Sequence, residues 1–184
     1  CPGSRNTPLT FTFTNNSNFI CTSHVDERSG SFFALGISKN NNIPSVIIST
    51  SGTAVANLFP SIIEASLSKT PLIIITADRP SYLINTGENQ TINQKNIFGD
   101  YVRKFEDLGL PDEKNTLNKK IKSLIEVAMG KLDSPPGPIH INVPFENSLI
   151  DDGSINKISS DSVIEKKDPV KYSNKNIKTP RLDN

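Results

Sequence analysis

The sequence contains few of the residues from which disulfide-stabilised or metal-binding proteins are built. Of its 184 residues two are cysteine and two are histidine, with no CxxC pair and no Cys/His spacing typical of a zinc site. His24 and His140 stand in or beside predicted strands, where a packed or edge residue is the simpler interpretation. We therefore expect a reduced, cytoplasmic protein with no metal ligand in this chain.

Long apolar runs and an excess of one charge are missing as well. No apolar stretch approaches the roughly 18 residues of a membrane span, and no signal peptide is visible. The 20 basic and 19 acidic residues leave a net charge of +1, which argues against a nucleic-acid surface. The motifs G-x-G-x-x-G, G-x-x-x-x-G-K-[ST] and G-x-S-x-G are absent, which excludes the usual nucleotide-phosphate loops and disfavours a serine hydrolase.

What the sequence does contain is an alternation of strand-like and helix-like blocks. Short runs of Ile, Leu and Val are typical of buried parallel strands, and apolar residues at helical spacing lie between them. This alternation predicts an α/β fold, a three-layer doubly wound and mostly parallel sheet with helices on both faces. Strands are predicted at residues 18–24, 45–50, 71–77, 102–108 and 137–143, and helices at 28–40, 52–69 and 116–131.

Three segments leave alternatives open. Residues 7–16 alternate like a strand, whereas Pro8 near their start favours a short helix. Pro60 is expected to bend or split the helix predicted at 52–69. Residues 91–101 are compatible with a helix but carry no decisive pattern.

We assign residues 1–149 to one domain and residues 150–184 to a linker towards a central domain that this chain does not contain. After Pro144 the apolar blocks stop and the sequence becomes polar and lysine-rich. The chain opens on Cys-Pro-Gly-Ser-Arg without a methionine, so we also expect a first strand to precede it.

Glu27 is the first candidate site residue, because it lies between a predicted strand and a predicted helix. A side chain at that junction would lie at the carboxyl end of a parallel strand, where open α/β sheets bind their ligands. A carboxylate held there could exchange a proton with a bound cofactor. The alternative is an acidic residue in the first turn of a helix, favoured by the helix dipole, with Asp26 as the N-cap.

Basic and hydroxyl side chains at two other strand ends could bind anions. Ser4 and Arg5 follow a Pro-Gly turn, and a guanidinium matches the two oxygens of a carboxylate. Arg79 follows the most apolar strand, where it could receive an anionic substrate. Helix capping by Ser4 with a solvent-facing Arg5, and an ion pair between Asp78 and Arg79, are the structural alternatives.

Uncharged polar groups occupy the two remaining loops of interest. Thr50, Ser51, Gly52 and Thr53 follow a strand and open a helix, so free N–H groups there could hold an anion or a polar ring. Ordinary capping explains this pattern equally well. The amides of Asn89 and Gln90 could position a substrate, although most loop amides face water.

Six motifs occur in an order that closely resembles the pyrimidine-binding domain of the thiamine-diphosphate-dependent enzymes. They are Cys-Pro-Gly-Ser-Arg (1–5), His-Val-Asp-Glu-Arg-Ser (24–29), Thr-Ser-Gly-Thr-Ala (50–54), Thr-Ala-Asp-Arg-Pro (76–80), Gly-Glu-Asn-Gln-Thr-Ile-Asn-Gln (87–94) and Gly-Pro-Ile-His-Ile-Asn-Val-Pro-Phe (137–145). The resemblance implies that Glu27 hydrogen-bonds ring nitrogen N1′ of the cofactor's aminopyrimidine and so promotes loss of the thiazolium C2 proton. Thr50, Ser51, Gly52 and Thr53 would line the pyrimidine pocket.

Within this family the resemblance is nearest to the branch that joins 2-oxoglutarate to isochorismate, with loss of carbon dioxide, in menaquinone and phylloquinone biosynthesis. Ser4, Arg5, Arg79, Asn89 and Gln90 would then bind substrate. The resemblance also implies a second subunit that completes the site, and Mg²⁺ with the diphosphate on a domain that this chain lacks. The chain alone should therefore be inactive. The alternatives are another decarboligase, such as an acetolactate-synthase relative, or a non-catalytic domain of the same fold.

Overall fold

The computed structural model describes residues 1–110, 117–132 and 134–146. The predicted linker at 150–184 lies outside the described residues, as does the domain boundary at 149. Among the residues that are described, no helix is long and apolar enough to cross a membrane.

A parallel sheet forms the centre of the described part of the chain. Its four strands are β1 (Ser45–Ser49), β2 (Leu72–Asp78), β3 (Lys104–Asp107) and β4 (Pro138–Pro144), in the order β1-β2-β4-β3. Ser45 pairs with Leu72, Leu72 with Pro138, and Phe105 with His140. The most apolar strand, β2, is interior as expected, because strands buried on both faces lose their polar alternation.

Helices cover both faces of this sheet, which confirms the predicted fold class. They are α1 (Thr7–Thr14), α2 (Glu27–Asn41), α3 (Thr53–Asn57), α4 (Phe59–Leu67) and α5 (Leu117–Ala128). Leu72 and Ile74 of β2 pack into one core with side chains of α2, α3 and α4. Ile73, on the opposite face, packs into a second core with Leu124 of α5. The two cores follow from the two-residue repeat of a strand.

Two of the segments with open alternatives form helices. Residues 7–14 adopt the helix that Pro8 favours, with the hydroxyl of Thr12 donating to the Pro8 carbonyl at 2.8 Å. The helix predicted at 52–69 is split near Pro60, as expected. One helix, α3, ends at Asn57, and the next, α4, begins at Phe59. Residues 91–101 contain a single 3-10 turn, Gly99–Tyr101.

The prediction of a strand at residues 18–24 is wrong. Within the described structure these residues pair with no strand, and Ile20 and Val25 are 86% and 96% exposed. The apolar pattern was present, but a strand needs a neighbour to satisfy its backbone N–H and C=O groups. Among the described residues, the edge of β1 is not hydrogen-bonded to this segment. Glu27 therefore opens α2 without following a strand.

Candidate functional site at the carboxyl end of the sheet

Residues 50–53 form the turn that links β1 to α3. Thr50, Ser51 and Gly52 are buried, and Thr53 is exposed as the first residue of α3. Gly52 has φ 81° and ψ −144°, and a Cβ atom there would lie 2.8 Å from the carbonyl oxygen of Gln90. This position therefore requires glycine, since any other residue would be strained and would collide with the neighbouring loop.

Glu27 lies at the start of α2, beside α3. Asp26 is the N-cap and accepts the Ser29 N–H at 3.0 Å, as the capping alternative predicted. Hydrogen bonds from the side chain and then the backbone of Ser29 hold the pKa of Asp26 below its usual value. Glu27 is half-buried, and its Oε2 accepts from Nδ2 of Asn57, the last residue of α3, at 3.3 Å. One short helix thus joins the candidate acid to the turn at residues 50–53.

The N-terminal segment lies against the same turn. The Cys1 nitrogen donates to the carbonyl oxygen of Ile48 at 3.0 Å. A Cβ atom on Gly3 would lie 2.6 Å from Cβ of Thr50, so the backbone at Gly3 touches the turn directly. Arg5 follows this contact and is buried, with Nη1 donating to the carbonyl oxygens of Phe145 and Glu146 at 3.0 and 3.1 Å. Arg5 therefore connects the N-terminal segment to the end of β4.

Arg79 reaches the turn from the end of β2. Its Nη1 donates to the hydroxyl of Ser51 and to the carbonyl oxygen of Gln90, the latter at 3.2 Å. Desolvation, and then the nearby Arg5 guanidinium, lower the pKa of Arg79. Within the described residues, Nε of Arg79 is buried and has no hydrogen-bond acceptor. Two neighbouring cations and an unused donor make this point favourable for an anion.

The remaining candidates differ in how closely they approach the turn. Gln90 donates from Nε2 to the Ser51 carbonyl oxygen at 3.0 Å, so its side chain is fixed on the turn. Ser4 and Asn89 are exposed, and neither side chain contacts the turn among the hydrogen bonds of the described residues. The structure thus brings Arg79 and Gln90 together with residues 50–53, while a substrate contact by any of these residues stays a prediction.

The family model described as "Thiamine pyrophosphate enzyme, N-terminal TPP binding domain" matches residues 1–97. This chain belongs to that family. The match spans the N-terminal segment, Glu27, the turn at residues 50–53 and Arg79, which are the parts that the fold places around the end of β1. The predicted resemblance is thereby confirmed.

Several curated relatives carry one name, 2-succinyl-5-enolpyruvyl-6-hydroxy-3-cyclohexene-1-carboxylate synthase. The protein of Chlorobium phaeobacteroides is 48% identical over 145 residues, which are 78% of this chain and 25% of that protein. The protein of Halobacterium salinarum is 43% identical over 150 residues, 81% of this chain and 26% of that protein. That of Bacillus pumilus is 40% identical over 168 residues, 91% and 29% respectively. This TPP-binding domain thus spans about a quarter of the relatives' length.

A buried polar cluster, which was not among the predicted site residues, lies behind the turn. In this TPP-binding domain the cluster joins Thr76 and Asp78 of β2 with Asn142 of β4 and with Gln94, which lies in the loop after β2. Burial raises the pKa of Asp78, against the hydrogen bond from Asn142, which lowers it. The available signal was polar residues at alternate positions of two apolar strands, always on one face and near the carboxyl end.

The described part of this TPP-binding domain holds no group of three or more His, Cys, Asp or Glu side chains placed to bind a metal ion. The residues around the turn are a carboxylate, two guanidinium groups, hydroxyls and amides. That set suits an organic ligand with an uncharged polar ring and carboxylate groups.

Proposed function

We propose that this chain supplies the aminopyrimidine side of a thiamine-diphosphate site in a synthase that joins 2-oxoglutarate to isochorismate with loss of carbon dioxide. The name that these relatives share supports this reaction, which would serve menaquinone or phylloquinone biosynthesis. The observation that carries the proposal is the hydrogen bond from the Arg79 guanidinium to the hydroxyl of Ser51. Arg79 is a predicted substrate-binding residue, and Ser51 belongs to the turn that is predicted to line the cofactor pocket. Cofactor and substrate would therefore meet at one place.

The residues present fit an aminopyrimidine ring. Such a ring is flat and uncharged, and one of its nitrogens needs a proton-sharing partner. Glu27 offers a half-buried carboxylate whose direction is set by Asn57, and Thr50 to Gly52 offer a buried wall. When bound, thiamine diphosphate supplies a nucleophilic carbon that also accepts the electrons released by decarboxylation. Glu27 would hold the proton at N1′ that this chemistry requires.

Arg5 and Arg79 would hold substrate carboxylates, which both proposed substrates carry. Desolvation, and then repulsion by Arg5, lower the pKa of Arg79, and an anion between the two guanidinium groups would relieve that repulsion. The unused Nε–H of Arg79, counted within the described residues, would gain an acceptor. Ser4, Asn89 and Gln90 would add uncharged donors around the same carboxylates.

The proposal includes partners outside this chain. Mg²⁺ and the diphosphate would be bound by another domain, and a second subunit would complete the site. On α2, the residues Phe32, Phe33 and Ile37 are each between 40% and 47% exposed, and they would give a second subunit an apolar surface. A cytoplasmic location, expected from two cysteines that the structure leaves unpaired, belongs to the same proposal.

The test of Glu27 is Glu27→Gln in the full-length protein, with Glu64→Gln as the matched control. Glu64 is exposed on α4 and pairs with Lys39 at 3.9 Å, so the control removes a carboxylate of the same length elsewhere. We expect Glu27→Gln to slow exchange of the thiazolium C2 proton by at least about 100-fold. Glu64→Gln should leave the exchange rate at the wild-type value.

Two results would point to the alternatives. An unchanged exchange rate in Glu27→Gln would remove the catalytic role of Glu27 and favour a non-catalytic domain. Consumption of pyruvate, but not of 2-oxoglutarate with isochorismate, would assign the protein to the acetolactate-synthase type.

A further inference from the structure

Gln94 is a fully buried glutamine in a loop that forms neither helix nor strand at that point. Its exposed fraction is 0%. A buried amide with unsatisfied groups costs about 1–3 kcal/mol for each of them. Such a residue is retained at that depth only where the surrounding structure satisfies it, and its partners therefore indicate what it does.

The side-chain amide of Gln94 bonds three separate parts of the fold. Its Oε1 accepts the N–H of Gly52 at 2.8 Å. Its Nε2 donates to the carbonyl oxygen of Ala77 at 3.1 Å and to Oδ1 of Asn142 at 3.0 Å. A primary amide is suited to this place, since one end accepts while the other donates twice. One side chain thus ties the turn after β1 to the ends of β2 and β4.

The backbone at Gly52 depends on that bond. With φ 81° and ψ −144°, this residue turns its N–H inward, away from water, just before α3 begins. If Oε1 of Gln94 were removed, the buried N–H would have to stay unpaired or the Ser51–Gly52 peptide would have to rotate. Rotation would move the Ser51 carbonyl oxygen, which now accepts from Gln90 at 3.0 Å.

The sheet end of the link is held equally firmly. Nδ2 of Asn142 donates to Oδ2 of Asp78 at 2.9 Å, and Oδ1 of Asp78 accepts the backbone N–H of Arg79 at 2.8 Å. A continuous path of hydrogen bonds therefore runs from Arg79 through Asp78, Asn142 and Gln94 to Gly52. It connects Arg79, the cation proposed to bind substrate, with the turn proposed to bind the cofactor, and it runs through the interior of the molecule.

We propose that Gln94 is the positioning residue of the turn at residues 50–53, fixing the Gly52 backbone in the conformation that receives the aminopyrimidine. The inference rests on the proposed function, because the proposed function is what assigns the aminopyrimidine to this turn. Gln94 acts through Gly52 and Ser51 and touches neither cofactor nor substrate itself.

The test compares Gln94→Met and Gln94→Glu in the full-length protein. Methionine keeps the length of the side chain and removes every hydrogen bond, whereas glutamate keeps an acceptor for the Gly52 N–H. We expect Gln94→Met to weaken thiamine-diphosphate binding about tenfold or more, while kcat at saturating cofactor stays within about threefold. Hydrogen exchange of the peptide that contains Gly52 should accelerate. Gln94→Glu should also lose cofactor affinity, because its second oxygen would face the Ala77 carbonyl oxygen and Oδ1 of Asn142 where Gln94 places a donor. Its hydrogen exchange at Gly52 should stay nearer the wild-type rate than that of Gln94→Met, because an acceptor for the Gly52 N–H remains.

Leu124→Ala is the control for general destabilisation. Leu124 is 3% exposed in the second core, on the opposite face of the sheet, so this variant loosens the domain without touching the turn. Equal losses of cofactor affinity in Leu124→Ala and Gln94→Met would overturn the inference. Wild-type affinity and wild-type exchange at Gly52 in Gln94→Met would overturn it as well. If the wild-type protein bound no thiamine diphosphate, the proposed function would fail, and the exchange at Gly52 would still decide whether Gln94 fixes the turn.

Discussion

Two irregular segments of this domain behave in opposite ways. Residues 15–26 carry apolar side chains that point outward, with Ile20 86% and Val25 96% exposed. Residues 84–98 also lack helix and strand, yet they place Gln94 and Phe98 in the interior at 0% exposure. The difference shows that apolar composition alone does not bury a segment. A segment is buried where its backbone and side-chain groups find hydrogen-bond partners, and residues 84–98 find them through Gln94.

The largest expected difference between the two segments comes from removing one phenylalanine from each. The Phe98 ring lies 5.6 Å from that of Phe59 and 4.7 Å from that of His140, centroid to centroid. Phe98→Ala should lower the free energy of unfolding by about 3–5 kcal/mol, because it leaves a cavity in the core. Phe19 touches Phe13 at 4.8 Å but is 46% exposed, so Phe19→Ala should cost less than about 1 kcal/mol.

Urea unfolding of the wild type, Phe98→Ala and Phe19→Ala measures both losses of unfolding free energy. Phe98→Leu serves as the milder change, since it fills part of the cavity and should lie between wild type and Phe98→Ala. Equal losses in Phe98→Ala and Phe19→Ala would mean that residues 15–26 are as well packed as residues 84–98, the interior loop, and the contrast would disappear.

The same contrast explains what the sequence could predict. Apolar runs identified the interior strands, for example β2, because a strand buried on both faces has a composition that little else shares. Pro60 marked the break between α3 and α4, since proline removes a helical hydrogen bond. Residues 18–24 had the strand pattern without a partner, and a partner is a property of the fold. Arg79 was singled out as a cation, but its bond to Ser51 depends on the register of two strands.

Gln94 shows the limit from the other side. Its loop contains several amides, and their side chains differ in the sequence only by position. Burial of one of them depends on how the loop crosses the ends of β2 and β4, which no local pattern records. The motif that contains Gln94 carried the family resemblance, whereas the role inferred for it came from its three hydrogen bonds.

The next largest effect concerns pH and the ring of His140, which packs against Phe98 of the interior loop. Thr76 donates its hydroxyl proton to Asn142 at 2.9 Å, so it accepts from Nε2–H of His140 at 2.7 Å. Nδ1 is then unprotonated, and it has no partner among the described residues. Desolvation lowers the pKa of His140 to about 3.

Because that pKa is about 3 in the folded chain and about 6.5 when unfolded, the unfolded chain binds more protons between these values. Stability should therefore fall with falling pH, by about 2 kcal/mol between pH 7.5 and about pH 5. His140→Gln should abolish this loss. Asp78, whose pKa burial raises, acts with the opposite sign and is present in both chains, so it cancels in the comparison. Equal pH dependence of the two chains in urea unfolding would show that His140 accepts a proton while folded.

The smallest effect tests whether the backbone of the interior loop is itself fixed. Asn96 adopts φ 52°, and its carbonyl oxygen accepts the Gly99 N–H at 3.0 Å. Asn96→Ala should cost about 1 kcal/mol, since alanine is less stable than asparagine in the left-handed region. Asn96→Gly should stay within about 0.5 kcal/mol of wild type. Asn18→Ala, in the exposed segment, should also stay within about 0.5 kcal/mol. If alanine and glycine were equally tolerated at Asn96, the loop backbone would adapt to the substitution. The conformation of residues 84–98 would then be fixed by the buried side chains of Gln94 and Phe98 alone.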